Sequence, residues 1–123
     1  MQEPIVVIDD ERGVLDLLRQ VLEDEGLQVM CLDHPRQTGG LHTAVRPRLF
    51  LIDLMLPGRN GIELARELHA RSFSQVPMIA MSASSSMARE ARATGLFRDT
   101  INKPFDLDHV VETVERYIVS RLP

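Results

Sequence analysis

Cysteine is almost absent from this 123-residue chain, where Cys31 stands alone. One thiol closes no disulfide framework and builds no thiolate metal site, so Cys31 reads as a small buried hydrophobe. An excess of positive charge is missing too. Eighteen Asp and Glu against 14 Lys and Arg leave a net charge of −4, which gives no bulk attraction to nucleic acid. The longest apolar runs, such as residues 5–8 and 49–52, are far too short to cross a bilayer. Met1-Gln2-Glu3-Pro4 carries neither the basic nor the apolar region of a signal peptide, so a cytoplasmic location is expected. Repeats and long linkers are also lacking, which leaves one domain over residues 1–123. Among the 14 basic residues a single one, Lys103, is lysine. An ammonium and a guanidinium do different chemistry, so that exception is worth following.

What the chain does have is alternation. Ile5-Val6-Val7-Ile8 is a β-branched run with no polar face, the pattern of a strand buried on both sides in a parallel sheet. Val14, Leu15, Leu18, Val21 and Leu22 then recur at helical spacing, up to a C-terminal cap at Gly26. Residues 27–32 read as a second strand. Pro35 could open a helix within 33–46, but Gly39-Gly40 weakens it, so a short or frayed helix is expected. Residues 48–53 read as a third strand, and Leu56-Pro57-Gly58-Arg59-Asn60-Gly61 as a loop. Ile62, Leu64, Ala65 and Leu68 mark the next helix, and 76–81 the fourth strand. An Ala-rich, weakly apolar helix over 86–94 ends at Gly95. Thr100-Ile101-Asn102 reads as the fifth strand, and Val110, Val111, Val114, Tyr117 and Ile118 as a last helix capped by Asp106 or Asp108. Five β-α units predict an α/β fold, a doubly wound parallel sheet.

Ligands of such sheets sit at the carboxyl ends of the strands. There the sequence places Asp9, Asp10 and Glu11, then Asp53, then Ser82 and Ala83, then Lys103 and Pro104. Each has an ordinary explanation alone: a helix N-terminus that favours acids, a turn former, a helix cap, a surface turn. Together on one edge they carry more. Clustered carboxylates repel unless a counter-charge is present. Lys103 supplies one, and a hard divalent cation such as Mg²⁺ would supply another. Metal-assisted phosphoryl transfer is the matching reaction class. His34, His42, His69 and His109 have no metal-ligand spacing and read as solvent-exposed. Met55, Met78, Met81 and Met87 read as core or loop packing.

The motifs Val6-Val7-Ile8-Asp9-Asp10-Glu11, Leu51-Ile52-Asp53-Leu54-Met55-Leu56-Pro57-Gly58, Pro77-Met78-Ile79-Ala80-Met81-Ser82-Ala83 and Asn102-Lys103-Pro104-Phe105, in this order, resemble the receiver domain of two-component response regulators. The resemblance runs from Ile5 to Arg121. It implies a flavodoxin-like (βα)5 fold of strand order 2-1-3-4-5. It implies that Asp53 accepts a phosphoryl group from a sensor histidine kinase or phosphotransfer protein. Asp10, Asp53 and the backbone carbonyl of Met55 would hold Mg²⁺, with Asp9 acting through a metal-bound water. Lys103 would pair with Asp53 and then with phosphate. Ser82 would move to bond the phosphate, and the small Ala83 would leave it open. The Lys103-Pro104 bond would be cis. The resemblance also implies a signalling switch with a downstream protein or output domain, a dimer on phosphorylation in some cases, and no conventional enzyme activity.

Departures are present. Thr100 stands where relatives carry Tyr or Phe, the stretch from Gly95 to Lys103 is a residue longer than usual, and the second helix is interrupted by glycine. These put the usual aromatic switching step in question. Rival readings fit less well. A haloacid-dehalogenase-type phosphatase needs a general acid where Met55 stands, and a flavodoxin-like cofactor binder needs a phosphate loop where Asp9-Asp10-Glu11 would repel one. A phosphorylation-independent pseudo-receiver interaction module is the main alternative, but such modules usually lose the acidic pair, the nucleophile or the lysine.

Overall fold

The computed structural model describes residues 3–41 and 45–118. Ile5–Ile8 forms strand β1, entirely buried. Val29–Leu32 (β2), Leu49–Asp53 (β3), Met78–Ser82 (β6) and Asp99–Asn102 (β7) complete a five-stranded sheet. All four pairings are parallel and the spatial order is β2-β1-β3-β6-β7. That is the expected 2-1-3-4-5 order once a two-residue hairpin is counted. The hairpin, Met55–Leu56 (β4) against Arg59–Asn60 (β5), lies in the stretch read as plain loop. Pro57 and Gly58 make its turn, Gly58 at φ 75°, and so short a ladder has no periodicity to read.

Side chains alternate along each strand, and both faces are covered. Val6, Ile8, Phe50, Ile52 and Ala80 point to one face, where Gly61–Ala70 (α2) and Ser85–Thr94 (α3) pack. Ile5, Val7, Leu49, Leu51 and Ile79 point to the other, under Arg12–Asp24 (α1) and Leu107–Tyr117 (α4). The helix ends follow sequence chemistry. Asp106, not Asp108, caps α4, accepting from the N–H groups of Asp108 and His109. Gly26 and Gly95 sit just past α1 and α3 with φ of 81° and 74°, a conformation that disfavours residues with a Cβ.

The second helix is a 3-10 turn, Pro35–Gly40, as its glycines suggested. His34 Nδ1 accepts from Arg36 N–H at its start, so this histidine is a cap and not merely a solvated side chain. Arg71 closes the far end, donating to the carbonyls of Thr38 at 3.2 Å and Leu41 at 3.3 Å while lying over the Phe73 ring. His69 and His109 are exposed as expected, while His42 and the end of the chain from residue 119 lie outside the described residues. Two expectations about burial are corrected. Cys31 is only half-buried, because β2 is an edge strand, and its thiol donates to the Leu15 carbonyl. Met55 is 63% exposed on the hairpin, whereas Met78 and Met81 are core residues. Strands β2 and β6 also begin two residues later than read. Among the described residues no helix is long and apolar enough to cross a membrane.

Candidate functional site

Strand β1 delivers Asp9 at the carboxyl edge, with its N–H still on the β2 ladder through the Leu32 carbonyl. Its carboxylate has no solvent exposure. One oxygen accepts from Glu11 N–H at 2.9 Å and the other from Lys103 Nζ at 2.7 Å. Asp53 ends the central strand β3, 5% exposed. Its peptide is fixed by Leu54 N–H donating to the Met81 carbonyl. One carboxylate oxygen accepts from Met55 N–H at 3.2 Å, the other from Lys103 Nζ at 3.2 Å. Asp10 is exposed at the rim. Carboxylate oxygens of Asp9, Asp10 and Asp53 lie within 4.8 Å of one another.

Lys103 reaches this cluster from the end of β7, its backbone N–H donating to the Ser82 carbonyl. Its side chain is 14% exposed, with Glu11 at 4.0 Å as a third acidic neighbour. The Lys103-Pro104 peptide is cis. Sequence reasoning paired Lys103 with Asp53, and the structure adds the shorter bond to Asp9. That partner lies 94 residues away in sequence, and nothing local announces it.

One ammonium serves three clustered carboxylates, and the electrostatics follow. Burial first, and then the Asp9 carboxylate, push Asp53 above the usual carboxylate range, against the pull of Met55 N–H and Lys103. Burial works to lower Lys103, but the bonds to Asp9 and the charge of Asp53 outweigh it and hold the ammonium above its ordinary value. The donor set, all carboxylate oxygen with excess negative charge, fits a hard divalent cation.

Ser82 ends β6, 2% exposed, and is bonded elsewhere. Its hydroxyl donates to the Ser84 carbonyl at 3.0 Å and accepts from Ser84 N–H at 2.9 Å. Ser84 in turn caps α3, its hydroxyl accepting from Met87 N–H. Ala83 is exposed beside it. Thr100, half-buried on β7, accepts at Oγ1 from Arg92 of α3 at 2.8 Å, a contact that sequence did not suggest.

One further contact went unread. Gly61 opens α2 directly against the end of β3, its N–H donating to the Leu54 carbonyl at 2.9 Å. A Cβ there would overlap the Asp53 carbonyl oxygen and lie 2.8 Å from Leu54 Cα. The hairpin turn that precedes it was the only available hint.

A doubly wound α/β domain with an acidic cluster, one lysine and a strand-end hydroxyl on a single edge belongs to the class of phosphate-handling signalling domains. The chain is a member of the response regulator receiver domain family, whose profile matches residues 5–115. It is 31% identical over 120 residues to sporulation initiation phosphotransferase F of Bacillus subtilis (strain 168), covering 96% of this chain and 95% of that protein. The receiver domain of NtrX from Brucella abortus superposes with a TM-score of 0.83 at 28% identity, covering 93% of this chain and 97% of that one. A CheY-like receiver domain protein from Methanospirillum hungatei JF-1 has the same fold, with a TM-score of 0.84 at 22% identity over 96% and 94% of the two chains.

Proposed function

We propose that the protein is a phosphorylation-dependent signalling switch whose phosphoacceptor is Asp53. The observation that carries this reading is the position of its carboxylate, clustered with Asp9 and Asp10 and 3.2 Å from Lys103 Nζ. The donor is a phosphohistidine on a sensor histidine kinase or phosphotransfer protein. A carboxylate oxygen of Asp53 forms an O–P bond as the N–P bond breaks. The electron pair leaves on the imidazole nitrogen, which takes its proton from solvent. Lys103 is placed to follow the charge from the Asp53 carboxylate to a phosphoryl oxygen, and a compact ammonium suits that move. A cleft of about 470 Å³, lined by Glu11, Ala83, Lys103 and Phe105 among others, opens beside the cluster.

Asp9, Asp10, Asp53 and the Met55 carbonyl would hold Mg²⁺. The ion would neutralise carboxylate repulsion and stabilise charge on the phosphoryl oxygens. Ser82 and Ala83 would offer a phosphate on Asp53 a hydroxyl and an open N–H. Taking Ser82 toward that phosphate gives up its two bonds to Ser84, the residue that caps α3. The change of shape therefore centres on residues 82–97, with Thr100 a minor participant, and is read by a downstream protein or output domain. The protein acts in the cytoplasm as a signalling module and not as a conventional enzyme.

Incubation with Mg²⁺ and acetyl phosphate, followed by intact mass, tests the assignment. The parent is expected to gain one phosphoryl group and Asp53→Asn none. An equal gain in both would overturn it.

A further inference from the structure

We infer that Gly61 is a positioning residue for Asp53, required because the first turn of α2 is built against the peptide that carries the nucleophile. The inference rests on Asp53 being the phosphoacceptor.

Gly61 is not there for backbone freedom, since its φ is not in the positive range that favours glycine. It is there for space. A methyl group at this position would overlap the Asp53 carbonyl oxygen and come within 3.0 Å of the Asp53 carbonyl carbon. Among the described residues, no other glycine has a non-adjacent neighbour within 4 Å of the place a Cβ would take. The contact is also bonded, through Gly61 N–H to the Leu54 carbonyl.

Neither side of the contact can easily give way. The Asp53–Leu54 peptide is tied to β6 by Leu54 N–H on the Met81 carbonyl. Helix α2 is seated by the buried Ile62, Leu64, Ala65 and Leu68, and its first turn is fixed by Asn60, which accepts from Ile62 N–H at 2.6 Å. An added methyl must therefore be accommodated partly by moving the Asp53 peptide. That displaces a carboxylate whose bonds to Met55 N–H and Lys103 are both already 3.2 Å long. In-line transfer tolerates little displacement of the attacking oxygen, and about 1 Å can cost about a hundredfold in rate.

The test compares Gly61→Ala with Leu68→Ala. Leu68 is fully buried in the same helix, about two turns beyond Gly61. Both substitutions should lower stability. Phosphorylation by acetyl phosphate at saturating Mg²⁺, corrected for the folded fraction, separates them. The parent must react, or the Asp53 reading itself fails. Given that it does, Gly61→Ala should slow the reaction by about tenfold or more, and Leu68→Ala by less than about twofold. The Met55 amide resonance, which reports the bond to Asp53, should shift in Gly61→Ala only. Should Gly61→Ala not fold, Asn60→Ala carries the test, since it loosens the same turn without adding an atom. A several-fold slower reaction in that variant supports the inference. An unchanged folded-state rate in Gly61→Ala, or in Asn60→Ala where it stands in, overturns it.

Discussion

Helices α2 and α3 invite comparison. Each has ten residues, each opens on a side-chain cap, and both cover the same face of the sheet. Yet α2 seats Ile62, Leu64 and Leu68 in the core, while α3 buries only Ala88 and Ala91. The sheet edge divides the same way. The α2 side ends in Asp53, tied with Asp9 to Lys103 and gripped by Gly61. The α3 side ends in Ser82, whose hydroxyl, among the described residues, is bonded to Ser84, two residues on. The sheet joins both sides, but α2 is seated by large apolar side chains and α3 only by two alanines. A switch needs both: a rigid place for chemistry and a neighbour whose position costs little to change. A phosphate can shift that neighbour only through its different affinity for the two arrangements.

The charged half should fail hardest. Lys103→Met leaves Asp9 buried beside Asp53 with no counter-charge, and should cost about 3–5 kcal/mol in urea unfolding. A loss under about 1 kcal/mol would mean the cluster opens to water and is not the rigid half at all. The packing contrast is next. Leu68→Ala in α2 should cost about 2–5 kcal/mol, against about 1–2 kcal/mol for Ala91→Gly in α3. Equal losses would break the comparison.

Asp53→Asn should act in the opposite direction, and by less than the Lys103 substitution. Asp53 sits above the usual carboxylate range through burial and Asp9. A carboxyl so raised favours the fold while protonated, and that contribution is lost as pH rises through its folded pKa. At neutral pH the ionised group is a liability, so Asp53→Asn should unfold at higher urea than the parent. Below the ordinary carboxylate range, where Asp53 is protonated in both states, the difference should close. Lys103, also raised, stabilises the fold below its unfolded pKa, and this is lost as pH climbs through the folded value.

Much of this was legible in the chain because it rests on local signals. The apolar run before Asp9, the stripes of α1 and α4, Gly95, and the polar residues that close each strand predict the sheet and the residues on its edge. What escaped depends on partners distant in sequence or on surfaces. The Asp9–Lys103 bond, the Arg71 closure of the 3-10 turn and the Arg92–Thr100 contact join residues 94, 33 and 8 positions apart. Gly61 looks like any loop glycine until the end of β3 lies against it. Cys31 and Met55 were misjudged because an edge strand and an isolated two-stranded hairpin leave apolar side chains partly or mostly in solvent.

The smallest free-energy change in this series is also the most informative. Hydrogen exchange in the unmodified protein should be faster over Ser85–Thr94 than over Gly61–Ala70, since shallow burial leaves α3 easier to open. Comparable protection would remove the basis for a loose half.

The most direct test of the whole account is an amide-resonance comparison of the protein with Mg²⁺ alone and with Mg²⁺ and beryllofluoride, a mimic of phosphorylated Asp53. Large shifts should concentrate in residues 82–97, with residues 61–70 nearly unchanged beyond the first turn of α2. If residues 84–97 stay in place while Thr100 and α4 move, the division into a fixed and a movable half is wrong.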